Sequence, residues 1–296
     1  MSHRDDALAA IISRATNAPL SSIVRRQAVT GGCIHRVEVI ELADGQRYCI
    51  KSNQNAGDMF AQEAYGLAAI EQVGCLATPK VVAVETLDGN EQCLVLEAIE
   101  LARPASDFWT DFGSQLAEHH RTGFSNHYGW SSDNYLGSTP QINEARETWV
   151  AFFSECRLRY QLRLARQRGL GSGELYRSAN RLLDRLEKWL GDEAPQPSLL
   201  HGDLWSGNFL VGADGHAVVI DPAVYYGSRE AELAMPLLFG GFPEQFFDAY
   251  SEAWPLAEGW RERVELYKLY HLLNHLNLFG VGYLDSCLEI VKRFGS

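Results

Sequence analysis

The chain has 296 residues, 46% of them hydrophobic and 22% charged, with a formal net charge of −12. That length and composition suit a well-buried core divided between two lobes and are not those of a disordered or low-complexity chain. The acidic balance argues against nucleic acid or an anionic membrane as a main partner, since both call for a basic face.

In chain order, a first helix is expected from about Arg4 to Ala15. Its opening, MSHRDDALAAIISRAT, does not read as a signal peptide: Asp5 and Asp6 precede the apolar residues and Arg14 interrupts them. A hairpin follows, with Val37, Val39 and Ile40 on one strand, Asp44-Gly45 at the turn and Tyr48 to Lys51 on the return. Phe60, Ala64, Leu67 and Ile70 recur at helical spacing. Two further strands are expected at Val81 to Val84 and Gln92 to Leu96, joined near Asp88-Gly89. This strand-rich stretch with one long helix ends near residue 100, and a linker covers 98 to 105.

Beyond that point the pattern is helical. Ser106 and Ser172 are expected N-caps and Gly123, Gly169 and Gly191 expected stops, with one helical stretch read from Asn143 onward. Short strands interrupt near residues 199 to 220, with a turn at Asp214-Gly215, before helices resume at Pro243 to Ala253, Gly259 to Phe279 and Leu284 to Phe294. No apolar run approaches the roughly 18 residues of a membrane span. The six cysteines lie apart with no CxxC pair, which suits reduced thiols and a cytoplasmic location.

The segment LLHGDLWSGNFLV, residues 199 to 211, places polar and small residues between apolar strand-like runs, and AVVIDPA ends another apolar run in Asp221. Asp203 and Asn208 have the offset of the HRDxxxxN catalytic loop of protein kinases. A carboxylate there takes the proton of a substrate hydroxyl. A neutral amide oxygen ligates Mg²⁺ without adding anion repulsion, and a second carboxylate on a neighbouring strand end completes the hard-oxygen set. Asp203 is therefore expected to be the catalytic base, with Asn208 and Asp221 as Mg²⁺ ligands. An isolated HGD is as readily a capped turn; the offsets to Asn208 and Asp221 favour chemistry.

Lys51 ends the strand RYCIK and Glu63 lies on the following helix. They are expected to hold and orient the phosphates of ATP, against the alternative of two solvated charges. Gly31 and Gly32, in TGGCIHR, are expected in a loop over those phosphates, a plain hairpin turn being the alternative. This is not the GxxxxGK[ST] loop. Backbone groups of Glu97, Ala98 and Ile99 are expected at the adenine ring. Together these features predict an α+β, two-lobed protein kinase-like fold. Residues 1–100 form an N-terminal antiparallel sheet lobe that binds nucleotide, and residues 101–296 a larger helical lobe for catalysis and substrate.

On the substrate side, Trp205 is read either as a core residue or as a ring that stacks on a sugar. Asp133, with Asn134 and Tyr135, is a polar-aromatic turn within reach of substrate. Tyr226 either shapes the pocket or packs. His271 and His275 have the i, i+4 spacing of metal ligands but lack the HExxH glutamate, which favours a structural or substrate-lining role. Cys33 is read as an oxidation-sensitive thiol whose modification blocks ATP binding, or as an inert small residue.

Several segments also resemble the fructosamine kinase (ketosamine-3-kinase) family: GGCIHR, CIKSN, EAYGLAAI, DNYLGSTPQIN, LLHGDLWSGNFLV, VVIDPAVYYGSREAELAM, LFGGFPEQFFDAYSEAWPL and LYHLLNHLNLFGVGYL. The likeness runs from about residue 5 to 294, and HGDLWSGN with DPAVYYGxRE is its most specific part. The resemblance implies a fold similar to aminoglycoside phosphotransferases and protein kinases. It implies phosphorylation of the 3-hydroxyl of a free or protein-bound ketosamine, yielding an unstable product that sheds its sugar. Ser228 and His35 depart from the residues expected at their positions and bear on substrate preference. The runner-up readings are a phosphotransferase for an aminoglycoside, choline or homoserine-like alcohol, and a non-catalytic kinase-like binding module. The latter is disfavoured because lysine, base and metal ligands are all present.

Overall fold

Strand and helix periodicity decide the first part of the molecule, of which the computed structural model describes residues 3–29, 35–191 and 196–296. Helix α1 (His3–Thr16) precedes strands β1 (Ile23–Ala28), β2 (Arg36–Leu42) and β3 (Arg47–Asn53), and helix α2 (Met59–Val73) leads to β4 (Val81–Thr86) and β5 (Gln92–Glu97). These strands form one antiparallel sheet in the order β1-β2-β3-β5-β4. Because side chains alternate along a strand, β3 sends Tyr48 and Ile50 to one face and Cys49 to the other. Tyr48 and Ile50 join Leu8, Ile12, Ile40 and Val95 in one core. Cys49 packs with Phe60, Leu67, Leu94 and Leu96 in a second core. The two cores therefore lie on opposite faces, the first with α1 and the second with α2. Strand β1 was not anticipated: IVRRQA has no clean apolar alternation, as befits an edge strand carrying Arg25 and Arg26.

The chain continues through α3 (Phe108–Thr122), the hairpin β6 (Asn134–Leu136) and β7 (Thr139–Gln141), α4 (Trp149–Phe152), a π-helical segment (Phe153–Arg159) and α5 (Tyr160–Gln167). Next come α6 (Gly173–Leu183), α7 (Leu186–Leu190), β8 (Ser198–Leu200), β9 (Phe209–Val211), β10 (Ala217–Val219) and β11 (Tyr225–Gly227). Helices α8 (Arg229–Glu232), α9 (Ala234–Phe239), α10 (Glu244–Ala253), α11 (Trp260–Phe279) and α12 (Leu284–Phe294) complete it. Ser172 caps α6 as expected, its side chain accepting from the Leu175 N–H. The helix read from Asn143 starts instead at Trp149, where Thr148 accepts from the Ala151 N–H. Asn143 is held outside it: its N–H donates to Asp133, its amide donates to Ser132 and Asn134, and its oxygen accepts from Arg157.

By contacts the chain divides into one compact unit of residues 1–108 and 209–221, and a second of 109–208 and 222–296. The hairpin β9–β10 thus groups with residues 1–108. The reason is backbone pairing. Ala102 N–H donates to Val211 O, Ala105 N–H to Gly215 O, and Val219 N–H to Ala77 O. The expected turn at Asp214-Gly215 is present, with Gly215 at φ 83°.

Candidate active site

In the first unit the functional group is Lys51. Lying between Ile50 and Ser52, which face the α1 side, it projects to the α2 face of the sheet. Helix α2 buries Phe60, Leu67 and Ile70, and Glu63 stands at the margin of that stripe. Lys51 Nζ donates to Glu63 Oε1 at 2.6 Å and also to Asp221, which follows β10. The ammonium is almost wholly buried, its side chain 7% exposed, whereas the Asp221 side chain is 45% exposed. Burial opposes the charge on Lys51, but Glu63 and then Asp221 outweigh it and hold its pKa above the ordinary value. Burial pushes the Glu63 carboxyl upward against the pull of Lys51. The structure thus pairs Lys51 with Glu63, as expected for the phosphate-orienting pair, and adds to them Asp221, which was expected as a Mg²⁺ ligand.

Asp221 reaches Lys51 from a left-handed backbone conformation, φ 56°. Asp tolerates this region better than most residues, though at some cost in strain. Of the three positions expected at adenine, Glu97 N–H donates to Lys80 O and Ala98 N–H to Arg47 O. Those two N–H groups are therefore spent on the sheet, and among the described residues Ile99 is the one of the three whose N–H has no backbone partner. Gly31, Gly32 and Cys33 lie outside the described residues.

In the second unit the loop after β8 carries Asp203 and Asn208. Asn208 is buried, and its Nδ2 donates to the Asp203 carbonyl at 2.8 Å and to Asp203 Oδ2 at 3.0 Å. With Nδ2 so used, the amide oxygen is the group left for a cation. An amide oxygen is a hard donor of the kind that suits Mg²⁺. The loop conformation is enforced from below. The buried Glu232 carboxylate accepts from the N–H of His201 and from the N–H of Gly202, the latter at 3.0 Å to Oε1. Ala223 N–H donates to His201 O at 2.8 Å. Gly202 sits at φ 82°, and a Cβ there would lie 2.1 Å from Ala223 O, so only glycine fits.

Sequence reasoning missed Glu232, whose neighbour is the buried His120, with Nε2 3.6 Å from it and Nδ1 2.8 Å from Tyr250 Oη. The available signal was an acidic residue in the apolar run AELAMPLLF. Burial raises the Glu232 pKa, while His201 and the two backbone donors pull it down. Burial also holds His120 neutral, with its pKa lowered to about 3.

The substrate-side residues separate. Trp205 is 38% exposed, and its ring lies against Gly207, where a Cβ would fall 2.3 Å from it. Tyr226 is half-buried, its ring 5.3 Å from that of Trp130. Asp133 is exposed, and its Oδ1 accepts from Asn143 N–H at 2.8 Å. Asn134 is buried and structural, donating to Val224 O and accepting from Gln141 and Asn143. His271 is buried beside Tyr270, and His275 bonds its carbonyl at 2.8 Å instead of sharing a metal with it.

A model of the fructosamine kinase family matches residues 5–295. A Synechocystis protein named a probable ketoamine kinase is 42% identical over 284 residues, covering 95% of this chain and 94% of its own. The chloroplastic protein-ribulosamine 3-kinase of Oryza sativa subsp. indica is 37% identical over 281 residues, covering 94% and 81% respectively. The crystal structure assigned as a fructosamine-3-kinase of Thermobifida fusca superposes with a TM-score of 0.86 at 33% identity and covers 98% of each chain.

Proposed function

The chain belongs to the fructosamine kinase family, and from that premise we propose that this ketoamine kinase transfers the γ-phosphoryl group of ATP to the sugar 3-hydroxyl of a fructosamine or ribulosamine. The observation that carries the nucleotide half of this reading is the buried Lys51 ammonium bonded to both Glu63 and Asp221. A cation so held is ready for the α- and β-phosphates, and Glu63 would keep it in place if Asp221 ligated a metal.

Asp203 takes or orients the proton of the attacking hydroxyl, and Asn208 fixes that carboxylate through Nδ2. Asn208 and Asp221 would hold Mg²⁺, which neutralises charge on the phosphates when bound. Ile99 N–H is the donor offered to the adenine edge. Glu232 holds the His201–Gly202 backbone, so that Asp203 is positioned before substrate arrives. Most of the rate gain then comes from positioning and electrostatics. The phosphorylated product sheds its sugar, which makes deglycation of amines or proteins the natural role. A cytoplasmic location goes with the five described cysteines, all of them free thiols. Among the described residues no helix is long and apolar enough to cross a membrane.

The test is an acceptor panel: ATP with fructosyl-, ribulosyl- and erythrulosyl-lysine, free and on a peptide, and with an aminoglycoside and choline, read by product mass. Addition of one phosphate to a ketosamine, followed by loss of the sugar, is the expected result. Phosphate on the aminoglycoside or choline and on no ketosamine would overturn the reading.

A further inference from the structure

His35 stands beside the charged cluster without belonging to it. Its ring packs on Phe60 of α2, with centroids 4.7 Å apart. Its Nδ1 lies 3.1 Å from Asn53 Nδ2. The Asn53 amide is oriented independently, because its Oδ1 accepts from the Asn55 N–H at 2.8 Å. Nδ2 is therefore the donor end, and Nδ1 of His35 must accept. An imidazole that accepts at Nδ1 carries its proton on Nε2. That N–H has no partner among the described residues. The charges of Lys51 and Asp221 both act on the ring; burial first, and Lys51 next, keep the imidazole in its neutral form.

We propose that His35 is a phosphate-positioning residue of the nucleotide site, donating from Nε2–H to an anionic oxygen of the triphosphate beside Lys51. This rests on the nucleotide site proposed above and adds to it a neutral donor of fixed tautomer. A second cation next to Lys51 would repel the ammonium. A neutral N–H contributes a charge-assisted hydrogen bond without that repulsion. The position precedes β2 and directly follows the glycine-containing segment, so the donor is placed by the sheet rather than by a long side chain.

Binding of a non-hydrolysable ATP analogue and of adenosine to the full chain, with Mg²⁺ present, is measured by calorimetry for the native protein, His35→Phe, His35→Gln and Lys51→Met. The phenylalanine keeps a ring on Phe60 and loses both nitrogens; the glutamine restores a donor near Nε2. His35→Phe should bind the ATP analogue about tenfold more weakly, the loss expected for one charge-assisted hydrogen bond. It should bind adenosine unchanged, and His35→Gln should recover most of the affinity. Unchanged affinity for the ATP analogue in His35→Phe, or equal weakening toward analogue and adenosine, would overturn the proposal. Failure of the native protein to bind the analogue, or native-like binding by Lys51→Met, would instead overturn the underlying nucleotide site, and the role of His35 with it. Independently of any variant, long-range proton–nitrogen spectra of the native imidazole should show the Nε2–H form; an Nδ1–H form would refute the proposal.

Discussion

Asp203 is half-buried and Asp221 exposed, and they are held in different ways. Asp203 is gripped by a neutral amide, Asn208 Nδ2, at its carbonyl and at Oδ2. Asp221 is gripped by a buried ammonium and adopts φ 56°. These settings separate the consequences of mutation. In Asp203→Asn the replacement still accepts from Asn208, so the loop is preserved while the carboxylate proposed as the base is lost. ATP affinity should stay within about threefold and turnover should fall by roughly 10²–10⁴, the usual share of a general base. Asp221→Ala removes one of the two Lys51 partners and the carboxylate proposed for the metal, so Mg²⁺-dependent nucleotide binding should disappear. Titrations of both variants with ATP, with and without Mg²⁺, separate the two effects. Full nucleotide binding by Asp221→Ala would refute its assignment.

Strands β8 and β11 pair through Leu200 with Tyr225 and Leu199 with Tyr226, which fixes the chain on the near side of the loop that carries Asp203 and on the far side of Asp221. Glu232, at the end of α8, accepts from two loop N–H groups, those of His201 and Gly202. Beneath them the π-helical segment delivers the fully buried Arg157, whose guanidinium lies 4.0 Å from the Tyr225 ring and 4.4 Å from that of Phe152. Arg157 donates to Ile142 O and to Asn143 Oδ1 at 2.8 Å, so it ties the β7 end to β11. Glu232→Gln keeps one acceptor oxygen and loses the other, leaving a buried N–H poorly satisfied. Stability should drop by roughly 1–3 kcal/mol in urea unfolding. Because the loop rather than the Lys51–Glu63–Asp221 cluster is disturbed, kcat should fall while KM for ATP is unchanged. A native kcat in a folded Glu232→Gln protein would show that the clamp does not position Asp203.

His119, His120 and His271 are all buried and neutral, each with its pKa lowered to about 3, chiefly by burial. The unfolded chain takes up protons at these sites below about pH 6.5, whereas the folded chain does not. Their contribution to stability is therefore complete above about 6.5 and is lost as pH falls, by roughly 1.4 kcal/mol per pH unit for each histidine. The buried carboxyls of Glu63 and Glu232, raised in the fold, act in the opposite direction near and above about pH 4.5. Three histidines outweigh two carboxyls, so the urea midpoint should fall between pH 7 and pH 5. His271→Leu should make that fall shallower by about one histidine's share. An equal pH dependence in variant and native protein would mean that His271 is not held neutral.

Short-range pattern was enough to read much of this protein. Alternation in RYCIK places Lys51 opposite the α1 core, helical spacing after Phe60 places Glu63 near it, and the HGDxxxxN offset marks Asp203 and Asn208. Each of these signals spans a few residues and depends on backbone geometry that neighbouring residues impose. What escaped the reading involves satisfaction of buried polar groups by distant partners. Glu232 lies 31 residues from the N–H of His201 that it accepts from. Asn143 is kept out of the helix that its flanking sequence suggests by Arg157, 14 residues away. The N–H groups of Glu97 and Ala98 are consumed by Lys80 and Arg47. The hairpin β9–β10 goes with the sheet unit through bonds from Ala102 and Ala105. Periodicity is encoded within a window of the chain. The choice of partner for a buried donor or acceptor depends on which distant segments the folded backbone brings within about 3 Å, and no local window contains that information.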